Sequence, residues 1–326
     1  MNNSRPMRRV PVPVLRRLIE DLLRGAGCDE SSATIAADGY LEADLRGHSI
    51  QGLDHLFSTV EGLRSGMINP TPRPRVLREG PAFALVDGDG ALGQVAAGFA
   101  MDVAAEKSAR CGCAGVGFIN AGDIFMLGYY AERFAKRDLV SLVMSNTYPP
   151  RVHAPGGIDR VLGTNPLAIG VPSDGPYPVV LDMATSTSAI GHVRMASYTG
   201  EPIPSGIAID GEGNATNQAQ SALTDGALTP LAGHKGYGLG LCVALLSGPL
   251  IGGAVGQALR QVFENPPTPS GARGHLFVVI DPSAFGDMDV FRVAVRVYLE
   301  EIKSSRLAPG VEEILIPGER GLRQRE

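Results

Sequence analysis

Apolar residues first recur along this chain with a helical period. Val14, Leu15, Leu18, Ile19, Leu22 and Leu23 share one face of residues 11–25, and Gly25 and Gly27 stop the run. A second helix is expected from a cap at Ser31 or Ser32 to about Leu45, and a third over residues 52–63. The proline-rich residues 70–74 then close a helical N-terminal unit and read as a linker. From Ala82 the pattern changes to short apolar runs alternating with longer periodic ones. It predicts a strand at 83–86, a turn at 87–90, a helix at 94–110, a strand at 114–119, a helix at 124–136 and a strand at 139–144. Such alternation implies an α/β core. Further on it predicts a strand at 178–181, a glycine-rich helix at about 237–246, a strand at 276–280, a helix at about 288–302 and a last strand at 313–316. Residues 202–220 read as an irregular polar excursion and 265–273 as a surface loop, and no long repeat is visible.

Composition narrows the class. With 326 residues, 44% of them hydrophobic, the chain can bury a large core and form two domains. A net charge of -5, with a basic patch only at Arg5, Arg8 and Arg9, excludes nucleic acid as the expected partner. No apolar run is long enough to span a membrane and the polar N-terminus lacks a signal-type core, so a cytoplasmic location is expected. Cys28, Cys111, Cys113 and Cys242 are too scattered for a zinc site and read as reduced, mostly buried thiols, so no metal is expected.

Gly88-Asp89-Gly90-Ala91-Leu92-Gly93 matches a dinucleotide fingerprint between an expected strand and helix. About 20 residues on, however, Arg110-Cys111-Gly112-Cys113 offers no carboxylate for a ribose, so tight-turn chemistry is the better reading. More telling are three segments of small residues: Leu162-Gly163-Thr164-Asn165-Pro166, Leu181-Asp182-Met183-Ala184-Thr185-Ser186 and Gly233-His234-Lys235-Gly236-Tyr237-Gly238. Their glycines and single lysine suit backbone and cationic contact with a phosphate-bearing ligand.

These segments, with Gly128-Tyr129-Tyr130-Ala131-Glu132, Ala154-Pro155-Gly156-Gly157, Gly274-His275-Leu276-Phe277, Asp281-Pro282-Ser283-Ala284-Phe285-Gly286 and Pro317-Gly318-Glu319, resemble the malate/L-lactate dehydrogenase family of the non-Rossmann type. That family includes ureidoglycolate, sulfolactate and diketogulonate dehydrogenases and piperideine-2-carboxylate reductase. The resemblance runs from about residue 10 to the C-terminus. It implies an α/β L-sulfolactate dehydrogenase-like fold: a mixed sheet flanked by helices, with an N-terminal helical unit. It also implies NADH or NADPH as cofactor, a small-molecule substrate and a homodimer. The expected organisation is an N-terminal helical unit over 1–75 that packs with the C-terminal segment, an α/β dimerisation and substrate-side domain over 76–118 and 275–326, and a cofactor domain over 119–274. Carried over by position, the cofactor contacts are Asn120, Ala121, Thr164, Asp182, Met183, Ala184, Thr185, His234, Lys235, Gly236 and Glu319.

The reacting half departs from the family pattern. Where the family carries Asp-Ser-His-Gly-Val-x-Arg, the serine falls on Ile50, the proton-donating histidine on Gln51 and the substrate arginine on His55; a second family histidine falls on Asp123. Of the serine, histidine and aspartate set only Asp182 survives. Glutamine hydrogen-bonds but does not exchange a proton near neutral pH. The candidate catalytic residues are therefore His48, Gln51, His55, Asp123 and Asp182. Either His48, His55 or Asp123 supplies the proton, or the acceptor is an iminium that arrives protonated. Losing the arginine removes a bidentate carboxylate clamp, and Ile50, Ile124 and Phe125 imply a more apolar pocket. The expected function is NAD(P)-dependent hydride transfer with an atypical small carbonyl or imine. The alternatives are a non-redox isomerase, lyase or cyclase on a less acidic substrate, and a catalytically silent cofactor-binding subunit.

Overall fold

The structure, a computed structural model, describes residues 9–256, 258–259 and 273–326. Arg5, Arg8 and most of the loop expected at 265–273 lie outside the described residues.

Two helices of the N-terminal unit follow the apolar periodicity. α1 (Val12–Gly25) buries Ile19 and Leu23, and α2 (Glu30–Leu45) buries Ala33, Ala37, Tyr40 and Leu41. The α2 cap is Asp29, whose carboxylate accepts from the Ser32 N–H at 2.8 Å, and not either serine. The third expected helix is broken. Two single 3₁₀ turns, Ser49–Gln51 and Leu53–His55, flank Gly52, and α3 (Leu56–Arg64) starts only afterwards. Asp44 explains the break. Its carboxylate accepts from the Leu53 N–H at 2.7 Å and lies where any side chain at residue 52 would go, drawing a backbone donor out of the helical ladder.

Seven strands form one mixed sheet in the order β1 (Arg75–Gly80), β2 (Phe83–Ala91), β3 (Cys113–Ala121), β11 (His275–Ile280), β4 (Val140–Ser145), β7 (Leu167–Val171) and β8 (Val179–Met183). Only β2 and β3 are parallel. α4 (Gly93–Cys111) packs on β2 and β3, α5 (Leu127–Ala135) packs on β4 and β7, and Tyr40, Phe118, Tyr130, Phe134 and Phe277 fill the core. Because β11 is hydrogen-bonded between β3 and β4, the boundaries expected at 118/119 and 274/275 cut a continuous ladder. The unit with its own sheet and core comprises β5 (Val152–His153), β6 (Arg160–Leu162), β9 (Ala208–Ile209) and β10 (Ala227–Leu228) with α6 (Ile190–Thr199) and α7 (Ala219–Thr224).

Several other expectations change. Residues 87–90 lie inside β2, where the pairing register slips and Asp89 and Gly90 take positive φ of 56° and 70°. Residues 313–316 are not a strand; they run into the helix Glu319–Arg325, which the pattern missed. α8 (His234–Ser247) starts three residues earlier than expected. Cys28 is buried, but Cys111, Cys113 and Cys242 are exposed.

The glycines of the discounted fingerprint admit backbone. A Cβ at Gly93 would lie 2.1 Å from the Asp123 carbonyl oxygen, whereas one at Gly98 in the same helix would meet nothing within 4 Å. Gly93→Ala is therefore expected to cost about 1–3 kcal/mol, while Gly98→Ala leaves stability unchanged or raises it by up to about 1 kcal/mol. Thermal unfolding of the two variants side by side checks the contrast.

Candidate active site

The altered residues 46–55 form one wall of the site. Ile50 packs on the first turn of α6, where a Cβ at Gly191 would come within 2.8 Å of the Ile50 Cβ. Gln51 closes the first 3₁₀ turn and is partly buried. His55 Nε2 lies 2.9 Å from the Ile50 carbonyl, the contact of an N–H donor, and its ring rests on Phe125 at 4.7 Å between centroids. Phe125 also meets Tyr40, so the aromatic floor of this wall is tied to the core. Partial desolvation, then repulsion from Arg46 and His192, pulls the pKa of His48 below its usual value. The imidazole is thereby kept neutral near neutral pH.

Two carboxylates feel the charges of this segment, Asp182 that of Arg46 and Asp123 that of His55, and they behave oppositely. Asp182, near the end of β8, keeps exposed surface although neighbouring protein desolvates its carboxyl. One oxygen accepts from the Gly128 N–H at 2.7 Å, and a Cβ at Gly128 would come within 3.1 Å of the aspartate, so the first turn of α5 must be bare there. Desolvation pushes the Asp182 pKa up to about 6, against the Gly128 N–H and Arg46, which lower it. Burial also raises Asp123, but Arg273, the Phe125 N–H, His275 and His55 outweigh it, leaving the carboxyl below its usual value. Asp123 pairs with Arg273 at 2.9 Å and accepts from Phe125 N–H at 3.0 Å. It is a held anion and a poor proton donor.

Beneath Asp123 lies His275, buried, with Nδ1 2.9 Å from Ser145 Oγ and Nε2 3.1 Å from the Gly122 carbonyl. Burial lowers its pKa and keeps it neutral.

The three small-residue segments converge as their composition suggested. The Thr164 carbonyl accepts from both the N–H and the hydroxyl of Thr185, at 2.9 and 3.0 Å; the Thr185 carbonyl accepts from Leu231 N–H, and Asn165 reaches the Gly240 carbonyl. The predicted residues divide accordingly. Thr185 and Gly236 build the cradle, since the Gly236 N–H is spent on the Leu231 carbonyl at 2.7 Å. Asn120 is turned away, its amide donating to Asp87 at 2.8 Å, and Ala121 is buried in β3. Glu319 is buried against Lys303, Arg323 and the Ile316 N–H. Thr164, Asp182, Met183, Ala184, His234 and Lys235 keep accessible surface. His234 and Lys235 are exposed in the first turn of α8, after Ala232 and Gly233 at φ of 47° and 65°, and a Cβ on Gly233 would meet nothing within 4 Å. Bare N–H groups, open space and a cation together suit a phosphate. Next to them Asn146, Thr147, Gly163, Leu241 and Leu245 line a cavity of about 180 Å³.

The malate/L-lactate dehydrogenase family model matches residues 10–326. The chain belongs to that family. A malate dehydrogenase of Pyrococcus horikoshii is 40% identical over 320 residues, 96% of this chain and 87% of its own length. A ureidoglycolate dehydrogenase (NAD(+)) of Escherichia coli K12 is 31% identical over 306 residues, 94% of this chain and 86% of its own. Among solved structures, malate dehydrogenase from Entamoeba histolytica superposes with a TM-score of 0.94 at 27% identity, covering 98% of this chain and 91% of that one. Δ1-piperideine-2-carboxylate reductase from Pseudomonas syringae gives 0.87 at 28% identity, covering 98% and 93%. Family membership makes the protein an oxidoreductase, a dehydrogenase. It also sets the redox reading above the isomerase and silent-subunit readings.

Three participants escaped sequence reasoning: Arg46, Glu132 and Arg273. The signal for Glu132 was available, because Leu127–Ala135 is buried almost throughout and a carboxylate there demands cations. Arg273 carried none, its partner being 150 residues away.

The Asp182 shift has a defined consequence for stability. With a folded pKa of about 6 against an ordinary 3.8, its contribution is fully present below 3.8 and is lost as pH rises through about 6. Asp182→Asn is expected to melt higher than the parent protein at pH 8 and no higher at pH 4, in thermal scans across that range.

Proposed function

We propose that the protein is a cytoplasmic, homodimeric dehydrogenase that moves a hydride between NADH or NADPH and an atypical small carbonyl or imine lacking a carboxylate at the usual place. Asp182 carries this reading. Its pKa is pushed up to about 6 by desolvation, whereas Gln51 cannot exchange a proton, Asp123 is held ionised, His48 is pulled toward the neutral form and residue 55 has no guanidinium.

The residues present fit a dinucleotide. His234, Lys235 and the first turn of α8 would hold the diphosphate and the Thr164 hydroxyl would add a donor, while the neighbouring cavity offers an apolar slot. When bound, the nicotinamide supplies or accepts the hydride. The protein orients the substrate against Ile50 and Phe125, excludes water with those side chains and holds or releases a proton at the Asp182 carboxyl. Protonated, Asp182 serves a developing alkoxide; ionised, it steadies a cationic iminium.

A second copy is supported by the helix Met288–Lys303, which buries none of its residues and exposes Val290 (68%), Val293 (40%), Val297 (50%) and Tyr298 (62%). The four free cysteines fit a reducing compartment.

Titration with NADH and NADPH, followed by cofactor fluorescence, should show binding, and consumption at 340 nm should follow addition of the right keto compound or cyclic imine. Absence of binding sinks the proposal. The direction of the pH profile then chooses the substrate class. Reduction that falls as pH rises through about 6 marks a carbonyl served by protonated Asp182, and reduction that rises marks an iminium held by the carboxylate. Gln51→His should gain about 10²-fold or more on pyruvate-like acids if the lost donor is the main block. Sedimentation velocity should show a dimer, and Val297→Asp should shift it toward monomer.

A further inference from the structure

The C-terminal helix Glu319–Arg325 lies directly on the chain that leads into the altered wall. A Cβ at Gly321 would sit 3.2 Å from the Arg46 Cβ, and one at Gly47 would collide with the Gln324 amide at 2.7 Å. Arg325 Nη1 reaches Glu132 at 3.0 Å and Glu42 at 3.2 Å, the same two carboxylates that Arg46 grips. Glu132 and Arg46 are almost fully buried, their side chains 2% and 5% exposed, and Lys136 completes the group from the surface at 2.8 Å. Gly128, which donates to Asp182, stands one helical turn before Glu132 on α5. α5 thus presents Asp182 at its first turn and the shared carboxylate at its second, with Arg46 acting on both.

We propose that the C-terminal helix is a positioning element of the reaction centre, with Arg325 acting through Glu132 and Arg46 on the Asp182 carboxylate. The charged groups bearing on this arrangement are Glu42 and Arg46 from α2, Glu132 and Lys136 from α5, Arg325 from the C-terminal helix and His48 from the altered wall. Arg46 favours the ionised form of Asp182. It can do so only while other cations balance Glu132, because an unbalanced Glu132 cancels the field of Arg46 at Asp182. Removing the charge of Arg325 therefore makes Asp182 hold its proton to higher pH. The inference rests on the proposed role of Asp182 for its catalytic meaning, but not for its measurement.

The test uses the full chain and the variants Arg325→Gln, Arg325→Lys and, as a control on the same helix, Arg320→Ala, an exposed residue outside the cluster. The Asp182 carboxyl is titrated by carbon NMR of aspartate-labelled protein, assigned by its loss in Asp182→Asn. Arg325→Gln should raise the midpoint by about half a unit or more, roughly a threefold change in proton affinity, Arg325→Lys should restore it, and Arg320→Ala should leave it in place. An unmoved midpoint in Arg325→Gln, or an equal shift in Arg325→Lys, overturns the proposal and reduces Arg325 to a structural contact. If the NMR midpoint moves and the pH profile of reduction does not follow it, the inference stands and the catalytic role of Asp182 falls.

Discussion

The arrangement depends on one buried carboxylate. Glu132 sits in a helix whose other residues are almost all apolar or aromatic and buried, so its charge is tolerable only with cations supplied from elsewhere. They come from three places: Arg46 at the end of α2, Lys136 one turn along α5, and Arg325 at the far end of the chain. Removing the buried partner, Arg46, typically costs about 3–5 kcal/mol, because it takes the nearest counter-charge from a carboxylate held out of water. The N-terminal unit, the central sheet and the C-terminal helix are thereby held to one another by an interaction that tolerates little slack. The residues that shape the reaction centre hang from it. Arg46 is followed at once by the altered wall, and α5 begins at the amide that anchors Asp182.

The site combines kept and replaced parts, and the boundary follows the architecture. The small-residue segments that close around Thr164, Thr185 and the start of α8 belong to the junction of the seven-stranded sheet with the smaller β5–β6–β9–β10 unit. Their mutual backbone hydrogen bonds make them interdependent, so changing one loosens all three. The altered residues Ile50, Gln51 and His55 lie instead on two 3₁₀ turns that owe their shape to Asp44 and Gly52. Side chains can change there without disturbing any strand, and the surface is accordingly free to acquire a different chemistry.

Long periodic stretches were legible in the sequence. α1, α2, α4 and the helix Met288–Lys303 were expected within a few residues of their observed ends, because each carries an extended apolar or small-residue face. The failures have local causes. The helix expected over 52–63 breaks where Asp44 competes for a backbone N–H, a contact between residues nine apart that no periodicity encodes. The turn expected at 87–90 is absorbed into β2 because Asn69 and Asn120 bind Asp89 and Asp87 and hold the irregular backbone in the sheet. In the site, the unusual residues at positions 50, 51, 55 and 123 could be read one by one from the sequence. The pairing of Asp123 with Arg273 and the joining of Arg46 and Arg325 to Glu132 could not, since each links residues more than eighty positions apart.

The hydrogen bonds of Arg325 to Glu42 and Glu132 span 283 and 193 residues. Contacts between residues so far apart reward folding only after the chain has been brought together, although the closure cost itself rises slowly with separation. The helices, the sheet and the turns that Asp44 shapes can therefore form while Glu132 still lacks its C-terminal cation. The charge balance around the reaction centre, unlike its shape, depends on the C-terminal helix reaching the N-terminal unit.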